Sequence, residues 1–341
     1  MREGAPTTGD APSSRAPSCA SSEVERMVGA VAETARRYGV LLACAPGAEG
    51  IVASVGVGYL AHVGEGSLEL CRADAVQPRL GQVALGPLDA ADEGVVGLSE
   101  RVLKGFRRKT GRECARRALL ACSSDDPSAP EAVHRYLRLG FSRPHELHAR
   151  ATDKRALAVD DLARHVLSEV EHARQFARFS RRADGSWVAA IEPAADVVPL
   201  VAPHFARRMG PERFCLVDPA HRVAALHEAR AARCVVVRLD EALARRLAAL
   251  GEDDLAGDER YVRALWKRFY DHVSLPGREA AERGYDLRTK FVPVRLRGRM
   301  TELDPRSDDA GAHVPARYAG GGEGAAAPGC AEHAPAHGIA L

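Results

Sequence analysis

The chain has 341 residues, 46% of them apolar, which is enough to bury a core and allows one to three domains. Its 48 Lys and Arg against 46 Asp and Glu leave a net charge of +2, so no single charge sign dominates and the placement of charge matters more than its sum. The start of the chain has no apolar signal core, and no later run approaches the roughly 18 apolar residues of a membrane span, so a cytoplasmic protein is expected. The eight cysteines (19, 44, 71, 114, 122, 215, 234 and 330) form no Cys-x-x-Cys pair, which argues against a zinc knot or a disulfide framework and for reduced thiols.

Residues 1–20 are rich in Ser, Pro, Gly and Ala and are expected to be a disordered tail. Ser22-Glu-Val-Glu25 is a capping-box pattern, and Val24, Met27, Val28 and Val31 follow at helical spacing up to Gly39. Residues 21–98 therefore read as an N-terminal helix and a Gly-rich variable segment. Within it, Ile51 to Val55 reads as a strand, and Gly56-Val-Gly-Tyr-Leu-Ala61 loosely fits a dinucleotide loop. The helix that such a loop must open is broken at once by His62-Val-Gly-Glu-Gly66, so no nucleotide loop is expected there.

From Ser99 the pattern turns helical. Leu103 and Phe106 begin a short basic helix, and Cys114 to Cys122 forms another. Between Arg101 and Arg117 there are eight cations (Arg101, Lys104, Arg107, Arg108, Lys109, Arg112, Arg116, Arg117) and one acid, Glu113. Such a cluster can neutralise phosphates, and a solvated helix face has the same appearance in sequence. Ser128-Ala-Pro-Glu131 caps a helix bearing Val133, Tyr136 and Leu137 that ends at Gly140, and Leu162, Val166, Val170 and Phe176 predict a long helix from Asp160 to Phe179.

Short β-branched or apolar runs then appear at Ser186 to Ile191, Phe214 to Val217, Arg222 to His227 and Cys234 to Leu239, separated by turn-forming residues. Asp196 is read as the cap of a helix to Arg208 with Pro199 in its first turn, and helices follow over Glu241 to Leu250 and Glu259 to Val273. The last carries Tyr261, Leu265, Trp266, Phe269 and Tyr270, read as a core seam rather than a platform for stacked bases. The tail from about residue 305 repeats the Gly/Ala/Pro bias and is expected to be disordered, and its His313, His333 and His337 are too irregularly spaced to suggest a metal site. The fold class expected is α+β, a helical first half followed by a small, mostly antiparallel sheet packed with helices, with the α+β domain over residues 99–304.

Polar side chains with possible chemistry concentrate between His172 and Arg222. Arg174 and Arg178, four apart, can share a helix face and grip an anion, or can simply complement a helix C-terminus. Glu192 and Asp196 lie close enough in sequence to bind a divalent metal or to share acid-base work, although Asp196 is explained by capping alone. His204 precedes Arg207 and Arg208. A metal set of His172, His204 and Asp218 lacks any close-spaced pair, and Asp218 with Arg222 can pair across a turn. Cys215 reads as a small buried residue. The catalytic candidates are thus Glu192, His204 and Asp218. The anion-binding candidates are Lys104, Arg107, Arg108, Lys109, Arg174, Arg178, Arg207, Arg208 and Arg222. No metal and no cofactor is expected.

The succession His172-Ala-Arg-Gln-Phe-Ala-Arg-Phe179, Ile191-Glu-Pro193, Asp196-Val-Val-Pro-Leu200, Pro203-His-Phe-Ala-Arg-Arg208 and Leu216-Val-Asp218 with Arg222 resembles a bacterial family of DNA-repair or DNA-metabolism proteins built on a domain of unknown function. The resemblance spans about Ser99 to Leu303. It implies association with a radical-SAM protein, and in some members fusion to a uracil-DNA-glycosylase-like domain, without implying a reaction. Arg178 and Phe179 match the family's basic-aromatic run. The His common shortly before the Asp is replaced by Ala194-Ala195, and the Gln usual near the closing stretch Phe291-Val-Pro-Val-Arg295 is replaced around Arg288 to Lys290. This chain has no three-cysteine cluster motif of its own. Three roles follow as expectations: an accessory protein that binds DNA or the radical-SAM partner through basic surfaces, an enzyme on damaged or modified nucleotides, or a structural scaffold for the partner.

Overall fold

The run Gly39–Cys44 is apolar from its second residue on, and in the computed structural model of the chain it forms β1, the middle strand of a parallel sheet. The structure describes residues 22–148, 153–249, 254–272 and 292–301; both expected tails and the histidines at 313, 333 and 337 lie outside them. The chain divides into two compact units, one formed by the residues up to Arg174 with Pro193–Pro203, the other by Gln175–Glu192 with the residues from His204 on.

In the first unit, α1 (Ser22–Thr34) leads into β1, and α2 (Gly47–Leu60) crosses to β2 (Leu68–Arg72). β3 (Gln82–Leu85) completes the order β2-β1-β3, in which Val40 lies opposite both Leu68 and Val83. The strand and loop expected over residues 51–61 are instead one helix, α2, buried from Gly50 to Gly58. A helix covered on every side has no polar face, so it has no helical periodicity to betray it. The parallel sheet escapes a reading by alternation for the same reason, since a strand buried on both faces is a continuous apolar run.

Asp92 caps α3 (Glu93–Cys122) by accepting from the N–H groups of Gly94 and Val95, so the helix starts six residues before Ser99, and residues 98 and 99 are consecutive residues within it. Gly111, at φ 87° and ψ 172°, breaks α3 into the basic and the cysteine-bearing segments expected from the sequence; a side chain there would be strained. Val95, Leu98 and Phe106 face a single core with Leu42, Val52, Val55, Val133 and Leu137. α4 (Ala129–Ser142) follows Ser128, whose side chain makes no capping bond. The Glu131 carboxylate, rather than closing a capping box, accepts from the Leu70 N–H of β2 at 2.9 Å and from Arg135 at 2.6 Å. α5 (Pro144–His148) and α6 (Lys154–Phe176) complete this part of the chain.

In the second unit, β4 (Ser180–Arg181), β5 (Trp187–Ala190), β6 (Phe214–Asp218), β7 (Val223–His227) and β8 (Val235–Arg238) form a sheet in sequential order. Within this sheet only β5 and β6 run parallel, and the chain between them contains α7 (Val198–Arg208). Phe179 packs edge-on against Phe205 and Phe214, and α8 (Glu241–Ala248), capped by Asp240, places Ala248 with Val217 and Ala224. β5 to β8 fall where β-branched runs between turns predict them, whereas β4 lies outside those runs, and the fold is α+β.

α9 (Glu259–His272) corrects the reading of its aromatic set as core. Tyr261 is 67% and Phe269 56% exposed, Leu265 and Trp266 are exposed as well, and among the described side chains of the helix the buried ones are Glu259 and Ala264. Periodicity showed which residues share a face, but the buried side is the one bearing Ala264 and Glu259. The side chain of Tyr270 lies outside the described residues, and a four-residue helix, α10 (Val294–Arg297), follows.

Gly140 of α4 leaves room for the Phe106 ring of α3 and the Leu147 side chain of α5. A Cβ there would lie 2.3 Å from Phe106 Cε2 and 2.6 Å from Leu147 Cδ1. Gly140→Ala is expected to cost about 1–3 kcal/mol by overpacking, read as a lower urea midpoint; an unchanged midpoint would contradict this packing.

Candidate functional site

β5 and β6 pair in parallel with Ala190 opposite Val217, and the Ile191 N–H donates to the Val217 carbonyl at 2.9 Å. Asp218 therefore ends β6 and Glu192 stands just beyond the end of β5, so two expected acids come to the carboxyl ends of neighbouring parallel strands. Ligands in parallel sheets gather at such ends.

Each acid is matched by a base that the sequence pattern did not single out. Glu192 accepts from Arg299 Nε at 3.0 Å and from its Nη2, while Arg299 Nη1 donates to the Ala248 carbonyl at 3.1 Å. Asp218 is 0% exposed. Its Oδ1 accepts from the N–H groups of Ala220 at 3.0 Å and His221 at 3.2 Å, and its Oδ2 lies 2.6 Å from His221 Nδ1. The pairing of Asp218 with Arg222 expected across the turn is thus made with His221. Arg222 adopts φ 52°, its side chain is exposed, and its carbonyl accepts from the Leu239 N–H. A carboxylate on Nδ1 holds the proton on that nitrogen and orients the ring, an arrangement suited to general-base work at Nε2.

His204 is half-buried with its ring edge-on to Phe205 at 5.1 Å, and Arg207 and Arg208 occupy the exposed last turn of α7, where cations complement the helix dipole. Cys215 is half-buried in β6, and burial pushes its thiol up to about 11, which keeps it a poor nucleophile at neutral pH.

In the first unit His172 is engaged by Glu169, a residue missed in sequence. Glu169 is 2% exposed; its Oε1 lies 3.3 Å from His172 Nδ1 and its Oε2 accepts from the Ala194 N–H at 2.8 Å. The legible signal was a carboxylate on the apolar face of α6, between Val166 and Ala173, which burial makes costly unless donors surround it. Asp196 precedes α7 by two residues, and its N–H donates to the Ser123 carbonyl at 2.9 Å.

Arg174 pairs with Glu171 at 2.6 Å. α6 stops at Phe176, so Arg178 is not on that helix; its guanidinium donates to the Gln175 and Ala177 carbonyls. The two-arginine grip expected on one helical face is therefore not formed. Among the described residues no group of three or more His, Cys, Asp or Glu is placed to hold a metal.

The cations of α3 are arranged more simply. Arg101, Lys104, Arg107 and Arg108 are exposed on the side opposite the buried Val95, Leu98, Phe106 and Thr110. Glu113 lies beyond the Gly111 break and pairs with Arg116 and Arg117. Arg117 also reaches Asp160, and Lys109 turns to the Phe141 carbonyl at 3.2 Å.

Compared with known proteins, residues 127–302 match the model of a family described as a domain of unknown function, DUF4130. The match takes in Glu169, Glu192, His204, Asp218 and His221 and leaves α3 and the parallel sheet outside. Neither a curated protein nor a solved structure matches the chain.

Asp218→Ala would strip the acceptor from two backbone N–H groups and a histidine at once. A loss of about 3 kcal/mol is expected in urea unfolding; a loss under about 0.5 kcal/mol would show that Asp218 does not hold the turn.

Proposed function

The chain belongs to the DUF4130 family, and from the resemblance of its His172 to Arg222 block to DNA-repair proteins we propose that it is an accessory protein of DNA repair or DNA metabolism, which binds nucleic-acid phosphates through the outward face of α3. The supporting observation is the set Arg101, Lys104, Arg107 and Arg108: four exposed cations on one helical face with no ion pair among the described residues, bordered by a single acid, Glu100. Phosphates attract such a face without regard to sequence, and the binding releases condensed counterions. Arg112 extends the cationic surface past the break at Gly111, and Arg207, Arg208 and Arg222 are further exposed cations in the second unit.

In this reading the protein works in the bacterial cytoplasm beside a radical-SAM protein that supplies the redox chemistry, with a uracil-DNA-glycosylase-like domain as a second partner. That assignment of partners follows from the resemblance of the His172 to Arg222 block. The expected result is salt-sensitive binding to DNA. Reversing Lys104, Arg107 and Arg108 to Glu should lower the slope of log affinity against log salt by about 2.7, at about 0.9 for each phosphate that is no longer neutralised. Undetectable affinity at low salt, or affinity indifferent to the reversal, would contradict the reading.

A second reading, an enzyme acting on a damaged or modified nucleotide, is favoured by one observation: Asp218 orients His221 at the carboxyl end of β6, next to the end of β5 that leads to Glu192. On that reading His221→Gln abolishes nucleotide conversion while leaving DNA affinity unchanged, and equal turnover by the variant would sink it.

A further inference from the structure

A cavity of about 640 Å³ opens in the first unit between α2, α3 and α4, a size ordinary for small-molecule sites. Its floor is apolar, from Leu60, Leu98 and Val102. Two of its walls are aromatic: the rings of Tyr59 and Phe141 meet edge to face with centroids 5.4 Å apart. Each ring also carries a cation. The Arg138 guanidinium carbon lies 4.1 Å from the Tyr59 ring centroid, and Lys109 Nζ lies 5.8 Å from that of Phe141.

Arg138 is fixed before any ligand arrives. Its Nε donates to His134 Nε2 at 3.3 Å and its Nη2 to the Val63 carbonyl at 2.7 Å, and the guanidinium also interacts with the Tyr59 phenol. Ser142 Oγ donates to the backbone of its own helix and keeps acceptor capacity, and the exposed Glu65 adds a carboxylate at the rim. Burial pushes the Tyr59 phenol up, so that it remains a donor at neutral pH.

We propose that this cavity binds a single unstacked nucleotide, its base against the Tyr59 and Phe141 rings and the Arg138 plane, its phosphate on Lys109. Flat π-faces on apolar ground with donors and acceptors around the edge are what an unpaired base requires. An alkyl chain would fill the floor but give Ser142 Oγ, Glu65 and the Lys109 ammonium nothing to bond, which is costly when they lose water. The cations of α3 adjoin the site along the same helix: Leu98, Val102 and Lys109 face the cavity, and Arg101 and Arg108 are the chain neighbours of Val102 and Lys109. Extending the proposal from a mononucleotide to one base of a bound strand rests on the phosphate-binding reading above; binding of the mononucleotide does not.

The test is calorimetric titration of the full chain with deoxyadenosine monophosphate, deoxyadenosine and octanoate, beside titration with a single-stranded oligonucleotide. The monophosphate is expected to bind about tenfold more tightly than the nucleoside, the difference vanishing in Lys109→Gln, a substitution at an exposed position. Phe141→Ala is expected to weaken both nucleotide and nucleoside about tenfold, with its thermal melt confirming a folded chain. Reversing Lys104, Arg107 and Arg108 should weaken the oligonucleotide and leave the mononucleotide within about twofold. If the mononucleotide does not bind while the oligonucleotide does, or if octanoate binds in its place, the cavity proposal is overturned and the phosphate-binding reading stands. If the mononucleotide binds and the oligonucleotide does not, the cavity stands and that reading falls.

Discussion

Glu131 is the residue through which the first unit sets its candidate binding face. Its carboxylate takes the Leu70 N–H, lies 3.4 Å from His134 Nδ1, and is paired with Arg135. Burial alone would raise its pKa, yet the interactions with His134, Leu70 and Arg135 together hold it below the ordinary carboxylate value. His134 is wholly buried and passes the constraint on through Nε2 to Arg138, which is thereby laid over the Tyr59 ring. A charge can be kept in an interior only where donors wait for it, and this relay turns that requirement into a fixed guanidinium plane at the edge of a cavity.

The second unit obeys the same rule with different residues. Asp218 is fully buried and satisfied by two backbone N–H groups and His221, and Glu192 is satisfied by Arg299. These bonds hold the β6 to β7 turn and tether residues near the end of the described chain to the end of β5. They also explain why the block from His172 to Arg222 is so rich in charge: several of its carboxylates are structural, with partners close by. Phosphate binding is proposed instead for α3, where Arg101, Lys104, Arg107 and Arg108 face solvent with Glu100 as the one acid among them.

How much of this was legible depended on whether a pattern has two sides. The strands from Trp187 to Arg238 alternate with turn residues, and their positions follow from composition alone. β1 and α2 are buried on all sides, so alternation and helical period both vanish, and the parallel sheet was missed. On α9 the period was right but the buried face was the one bearing Ala264, which no single helix can reveal. Asp218 was recognisable as a candidate, while its partner lay three residues on, inside the turn across which a pair with Arg222 was expected. The Glu192 to Arg299 pair spans 107 residues, a distance over which spacing carries no information. The two-arginine grip failed because α6 ends at Phe176, three residues before the expected stop at Phe179.

The central claim, that α3 and the cavity beside it form the nucleic-acid face, is tested most directly by photo-crosslinking the full chain to a single-stranded oligonucleotide and mapping the modified peptides. Adducts are expected on Tyr59 or Phe141 and on the peptides holding Arg101 to Lys109, removed by excess unlabelled strand. Adducts confined to residues beyond 175, with none on α2, α3 or α4, would contradict it.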